Sequence, residues 1–131
     1  FLEETFALLK LENITAIHGR AEEFAKNKAY REQYDLCVSR AVSNLATLSE
    51  YCLPYVKVGG NFISYKSGTV QEELQQAEKA VKILGGKIQD VVYFNLPDSE
   101  IQRSLVVIEK MKPTPGRYPR KAGTPLKEPL S

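Results

Sequence analysis

Two short stretches carry residues that could contact a ligand at the edge of an α/β sheet. Arg20-Ala21-Glu22 stands where an apolar run gives way to a helical segment, and Ser39-Arg40-Ala41 directly follows another apolar run. Open α/β sheets bind ligands at the carboxyl ends of their strands. Backbone groups at Ala21 and Glu22 could therefore read an adenine edge, and Arg40 could reach the same crevice. A helix start with acids at its positive end and a surface ion pair explain the same residues without any ligand.

A third stretch, Gly116–Gly123, has the residue types of a nucleic-acid contact. Arg117, Arg120 and Lys121 flank Tyr118, whose ring could stack on a base, while prolines and glycines would let the backbone follow a phosphate chain. The stretch therefore predicts an RNA-facing surface. A solvated basic tail without a dedicated ligand remains the alternative.

The positive charge is concentrated at one end of the chain. Residues 110–131 contain six Lys and Arg and the single acid Glu128, so this stretch has a charge of +5. The rest of the chain has a charge of −3, which gives the chain its net charge of +2. Such local basicity is typical of a segment that meets a polyanion. Lys66, in a predicted loop after a strand, could add a further phosphate contact.

Several enzyme classes lack their motifs in this chain. The sequence has no Gly-x-Gly-x-x-Gly, no Walker loop and no Gly-x-Ser-x-Gly elbow, and His18 is its only histidine, which argues against kinases and hydrolases. Cys37 and Cys52 have no second pair to complete a metal site, so we expect both to be reduced and no metal to be bound. No apolar run approaches the roughly 18 residues of a membrane span, and we expect a cytoplasmic protein.

The elements that would position these residues alternate between strands and helices. The hydrophobic patterns predict strands at Ile14–Ile17, Tyr34–Ser39 (buried on both faces), Phe62–Tyr65, Ile88–Phe94 and Ser104–Ile108, with the last two paired as an antiparallel unit, and helices ending near Lys10, at Asn44–Leu53 and at 70–84. Gly59-Gly60 predicts a turn and Lys66-Ser67-Gly68 a loop. The order predicts an α/β fold with a mostly parallel sheet and an antiparallel edge strand.

Three segments resemble one known family. Tyr34–Val42, Leu53–Gly60 and the Lys-Pro-Thr-Pro-x-x-Tyr-Pro-Arg-Lys-Ala-Gly-Thr-Pro run at Lys112–Pro125 are similar in order and spacing to the RsmG (GidB) family of bacterial small-subunit ribosomal RNA guanine-N7 methyltransferases. The resemblance spans nearly the whole chain and corresponds to the last half to two thirds of a family member. It implies that residues 1–111 are the C-terminal part of a methyltransferase domain and that 112–131 form a basic, proline-rich tail.

The resemblance also implies a chemistry. A Rossmann-like class I enzyme would use S-adenosylmethionine to methylate N7 of a guanosine in 16S rRNA, with naked rRNA or the small ribosomal subunit as partner. Ala21 and Glu22 match positions that contact the adenosine part of the cofactor, and Arg40 matches an arginine of the cofactor and active-site pocket. An RNA-facing role is inferred for Arg117, Tyr118, Arg120 and Lys121. Guanine N7 has a free lone pair, so the reaction needs alignment rather than a general base.

The chain departs from the family pattern at its beginning. The family's glycine-rich cofactor loop, the acid that should hold the cofactor ribose and the first strands of the sheet are not among these 131 residues. We therefore expect the chain by itself to bind cofactor poorly, not to methylate, and to pair with another copy unless further N-terminal residues are present. A methyltransferase with another substrate and a non-catalytic RNA- or protein-binding module are the alternatives.

Overall fold

One mixed sheet organises the chain in the computed structural model, which describes residues 2–40, 43–67 and 70–131. Its strands are β1 (Tyr34–Ser39), β2 (Val56–Ser67), β3 (Gly86–Asn95) and β4 (Gln102–Lys110), in the order β1-β2-β4-β3. β1 and β2 are parallel, and β4 is antiparallel to both of its neighbours. The mixed α/β sheet and the paired β3 and β4 are as predicted. The antiparallel strand lies one position in from the edge, because β3 occupies the edge itself.

Five α-helices accompany the sheet in the described ranges. They are α1 (Leu2–Leu8), α2 (Ala21–Phe24), α3 (Leu45–Cys52), α4 (Gln71–Ile83) and α5 (Thr124–Lys127). α3 begins where Asn44 Oδ1 accepts a hydrogen bond from Thr47 N at 2.9 Å, and a 3₁₀ turn containing Pro54 follows it. α4 has two acids in its first turn and Lys82 in its last, and Gly85, at φ 92°, ends it. The predicted helices in these places are confirmed.

The hydrophobic core lies between the sheet and the pair α3 and α4. Phe62 of β2 and Ile108 of β4 are fully buried against Leu45, Val81 and Leu84 of the two helices and their ends. Alternate residues of β2 and β4 point to this side, as expected for strands with one face on a core. Burying a side chain of this size contributes about 1.5–3 kcal/mol, so this face fixes the register of the two central strands.

Two strand predictions were wrong because they assumed neighbours that the described residues do not supply. Ile14–Ile17 forms no strand, and Ile14 and Ile17 are exposed. Tyr34–Ser39 is a strand but is not buried on both faces, since Leu36 is 53% and Val38 67% exposed. β1 is an edge strand whose only partner in the described ranges is β2. An apolar run forms a strand only when it can pair with another strand. The strand is buried on both faces only when other elements pack against both of them.

The glycine pair was also predicted wrongly. Gly59 and Gly60 lie inside β2, at an irregularity where the pairing with β1 jumps from Tyr34↔Val56 to Leu36↔Asn61. Gly59 has φ 90°, and a Cβ on Gly60 would lie 2.6 Å from the Asp35 carbonyl oxygen. Glycines are therefore needed to bulge one strand rather than to turn between two. Lys66 and Ser67 end β2 instead of forming a loop, while Gly68, Ala41 and Val42 of the sequence motifs lie outside the described residues.

Candidate functional site: the strand edge and the basic segment

Arg40 stands at the carboxyl end of β1, as its position after an apolar run predicted. Its side chain is exposed, and its guanidinium carbon lies 5.9 Å from the centroid of the Tyr65 ring near the same end of β2. Tyr65 in turn meets Phe94 of β3 edge to face at 6.2 Å. A cation over an aromatic ring at an exposed site contributes about 0.5–1 kcal/mol. This contact orients Arg40, and its guanidinium has no hydrogen bond or ion pair with the other residues that the structure describes.

Ala21 and Glu22 are the first two residues of α2. Their backbone N–H groups lie where a helix leaves its donors unpaired, and no partner for them is found in the described part of the chain. The Ala21 carbonyl accepts a hydrogen bond from the Tyr55 hydroxyl at 2.5 Å. The Glu22 carboxylate is buried and accepts from Gly123 N at 3.0 Å. The open groups of this pair are therefore backbone donors, since the side chain of Glu22 is already bonded to the C-terminal segment.

The structure does not join all the predicted cofactor residues. No hydrogen bond or ion pair connects Arg40 with Ala21 or Glu22 among the residues described. Arg20 lies 3.9 Å from the Glu22 carboxylate, and its own side chain is mostly exposed. Two separate groups, Arg40 and the start of α2, are thus the candidate cofactor contacts.

Arg31 binds the main chain of the basic segment, residues 112–131. Its guanidinium donates hydrogen bonds to the carbonyl oxygens of Thr114 at 3.0 Å, Pro115 at 3.0 Å and Tyr118 at 2.7 Å, and to that of Ala25 at 3.2 Å. The sequence does not point to Arg31 as an anchor, since it lies in a polar stretch that looks solvated. No local signal could have found it, because three of its acceptors lie 83 to 87 residues later.

Lys110 makes a second, buried anchor. Its ammonium donates to the carbonyl oxygens of Leu53 at 2.7 Å and Val56 at 2.8 Å and pairs with Glu32 at 3.0 Å. Glu32 also accepts a hydrogen bond from Thr114 N at 3.0 Å. Burial lowers the pKa of Lys110, and the hydrogen bond to Glu32 opposes that effect. One of the six cations counted in the basic stretch is therefore internal.

Arg120 is engaged with a buried carboxylate. Its guanidinium bonds both oxygens of Glu50, at 2.8 Å for the closest pair, and its backbone N–H donates to the same carboxylate at 2.7 Å. The hydrogen bonds to Glu50 raise the pKa of Arg120. Tyr118 is buried in the hydrophobic core, with the guanidinium carbon of Arg117 5.3 Å from its ring centroid. In this arrangement Tyr118 has no open face on which a base could stack.

The remaining predicted RNA contacts divide in the same way. Lys66 is buried, donates to the Ser43 carbonyl oxygen at 2.5 Å and pairs with Glu73 at 3.0 Å. Arg117 and Lys121, by contrast, are exposed. Of the five residues, these two cations are the ones that present their charge to solvent.

Cys37 and Cys52 are free thiols on β1 and at the end of α3. A hydrogen bond from Cys52 lowers the pKa of Cys37, and the same pairing together with burial raises the pKa of Cys52. We therefore expect iodoacetamide to alkylate Cys37 faster than Cys52 near neutral pH, as followed by peptide mass spectrometry, because the thiolate is the nucleophile. Cys52→Ala should slow the reaction of Cys37. Equal rates for the two thiols, or faster reaction in the variant, would contradict the pairing.

None of the helices in the described ranges is both long and apolar enough to cross a membrane. No three His, Cys, Asp or Glu side chains in these ranges come together as metal ligands would.

Comparison with known proteins places this geometry in a family. The family model GidB, rRNA small subunit methyltransferase G, matches residues 1–106. Proteins named ribosomal RNA small subunit methyltransferase G from Lachnoclostridium phytofermentans and Clostridium tetani are 55% and 51% identical over 130 residues, which is 99% of this chain. The chain spans 54% of the length of each of these relatives.

Among solved structures, M. jannaschii TYW2 in complex with AdoMet superposes on 84% of this chain and 52% of its own, with a TM-score of 0.59 at 13% identity. This likeness shows a shared fold. On the match over residues 1–106 and the identity to curated relatives, the chain belongs to the GidB family of rRNA small subunit methyltransferase G.

Proposed function

We propose that this chain is the C-terminal part of a cytoplasmic enzyme that uses S-adenosylmethionine to methylate N7 of a guanosine in 16S rRNA, acting on naked rRNA or the small ribosomal subunit. The family match over residues 1–106 is the observation that carries the proposal. The curated relatives are named as methyltransferases of small-subunit rRNA, and two exposed cations of the basic segment, Arg117 and Lys121, suit an RNA partner.

The start of α2 fits the adenosine part of the cofactor. Adenine carries ring nitrogens that accept hydrogen bonds, and the unpaired N–H groups of Ala21 and Glu22 are donors held in place by the Tyr55 hydroxyl on one side and Gly123 on the other. S-adenosylmethionine, when bound, supplies a methyl group on a sulfonium centre, so the protein needs to align it with the base.

Arg40 is the residue we assign to positioning the guanine. Its exposed guanidinium at the end of β1 can donate to O6 of the base and leave the N7 lone pair free to attack. We expect Arg40→Ala in the full-length protein to lower the single-turnover methylation rate by about 100-fold, since misplacing a reactant by an ångström has effects of that order. Arg40→Lys, which retains the charge without the planar fork, should recover part of the loss. Unchanged cofactor affinity together with an unchanged rate in Arg40→Ala would remove this assignment.

The reaction itself is tested with full-length protein, tritiated S-adenosylmethionine and either naked 16S rRNA or small subunits. We expect label on one guanosine, located as N7-methylguanosine by strand scission at the modified base. Label on another atom or on protein would support a methyltransferase with a different substrate. RNA binding without transfer would support the non-catalytic module.

The 131-residue chain alone serves as the inactive arm of this experiment. It contains no Gly-x-Gly-x-x-Gly loop, so we expect weak cofactor binding by calorimetry and no transfer. Pairing of two copies, through the edge of β1 that has no partner strand in the described ranges, stays a prediction, which sedimentation of the isolated chain would check.

A further inference from the structure

A groove with a cavity volume of about 620 Å³ lies between the C-terminal half of α4, the beginning of β3 and the residues that follow β4. β1, β2 and β3 run in the same direction. The start of β3 therefore lies at the amino ends of these strands, opposite to the carboxyl end of β1 where Arg40 stands. The volume is in the range of small-ligand pockets, roughly 300–1,000 Å³. None of the candidate cofactor contacts Ala21, Glu22 and Arg40 lines this groove.

The walls of the groove are mainly apolar. Leu74 and Val81 of α4 face Ile88 of β3, and Met111 stands at the end of β4. Gln75 supplies a side-chain amide on the same wall. An apolar surface with one polar group suits a flat ligand that has hydrophobic faces and a hydrogen-bonding edge.

The rim of the groove is strongly positive. Lys82, Lys87 and Lys112 line it, against the single acid Glu78. None of these three lysines has an ion pair within the described ranges, whereas Lys66 and Lys110 are each paired with a glutamate. Three ammonium groups beside one carboxylate attract an anion, and unpaired lysines on a shared rim can each take a phosphate.

We propose that this groove binds a nucleotide of an RNA strand, with the base against the apolar wall and the flanking phosphates on Lys82, Lys87 and Lys112. The proposal rests on the proposed rRNA substrate. Lys112 opens the basic segment, and the exposed Arg117 and Lys121 follow within nine residues of it. A polyanion engages such a series of cations together, which a single small anion would not do. The groove thus gives the substrate a contact distant from the methyl transfer.

The test replaces the three lysines with glutamine in the full-length protein and measures binding to a 16S rRNA fragment across salt concentrations. The control removes the same charge from exposed lysines outside the groove, as Lys10→Gln, Lys28→Gln and Lys79→Gln. We expect the groove variant to bind at least tenfold more weakly at low salt and its log K against log salt slope to fall by about 2–3, since each phosphate contact contributes 0.7–0.9. Cofactor affinity and thermal unfolding should match the control.

Photo-cross-linking with 4-thiouridine RNA adds a readout of position, and we expect adducts in α4 or at Met111. A groove variant that binds like the control overturns the proposal, and so do adducts confined to other segments. If the three substitutions weakened the binding of a long-chain fatty acid but not that of RNA, the ligand of the groove would be an amphiphile and not a nucleotide. If the unsubstituted protein methylates RNA and the groove variant still binds RNA normally, the groove proposal is refuted and the proposed function stands. If the unsubstituted protein transfers no methyl group but the groove variant loses RNA binding, the proposed function is refuted and the groove proposal stands.

Discussion

Arg120→Ala is expected to destabilise the protein by about 3 kcal/mol, because removing one partner of a buried ion pair strands the other. Glu50 is fully buried and its carboxylate is bonded by the Arg120 guanidinium, which is 26% exposed. Some solvent would reach the site in the variant, so the effect should lie at the lower end of the usual 3–5 kcal/mol. Chemical denaturation of the variant and its parent measures the difference.

Two controls separate this structural role from RNA binding. Lys121→Ala removes an exposed neighbouring charge and should change stability by less than about 0.5 kcal/mol. Adding Glu50→Gln to Arg120→Ala should restore part of the lost stability, since a neutral amide costs less to bury than an unpaired carboxylate. If Arg120→Ala weakened RNA binding and left the unfolding free energy unchanged, the sequence-based RNA-facing role would be favoured over the ion pair.

Lys110→Met should have an effect of similar size, about 3 kcal/mol. The methionine fills the space of the alkyl chain but leaves the Leu53 and Val56 carbonyl oxygens without their donor and Glu32 without its cation. Unfolding by denaturant with tyrosine fluorescence as the signal would give the free energy.

The matched control for this variant is Lys112→Met, because Lys112 is exposed and lies two residues further along the chain. It should be nearly neutral. Combining Lys110→Met with Glu32→Gln should be less harmful than the sum of the two single changes, as for any pair in contact. Strict additivity would mean that the ion pair contributes nothing of its own.

The elements predicted well are those whose pattern is complete within their own sequence. α4 repeats its apolar residues at helical spacing and stops at a glycine, so its bounds needed no knowledge of its surroundings. Ile14–Ile17 has an equally apolar pattern, but a strand exists only through bonds to another strand, and the described residues provide none there. A local sequence indicates whether a segment prefers helix or strand, but it does not show which other segment a strand pairs with.

Predictions for the site follow the same division. The placement of Arg40 at a strand end followed from the apolar run before it, and the structure has it there. The partners of the basic residues could not be predicted, because an arginine that binds a phosphate and an arginine that pairs with a buried glutamate look alike in sequence. Glu50 precedes Arg120 by 70 residues, and Gly123 meets Glu22 across 101, so only the fold reveals which charges are already paired.

Arg31 grips the basic segment through main-chain oxygens alone, at Thr114, Pro115 and Tyr118. Every residue type has the same main-chain carbonyl, so these hydrogen bonds do not depend on which side chains the segment carries at the three positions. The segment can therefore exchange its outward-facing residues, and with them its preference for a partner, without losing its attachment. Arg31 itself has no such freedom, because no other side chain offers a planar fork with donors for four oxygens.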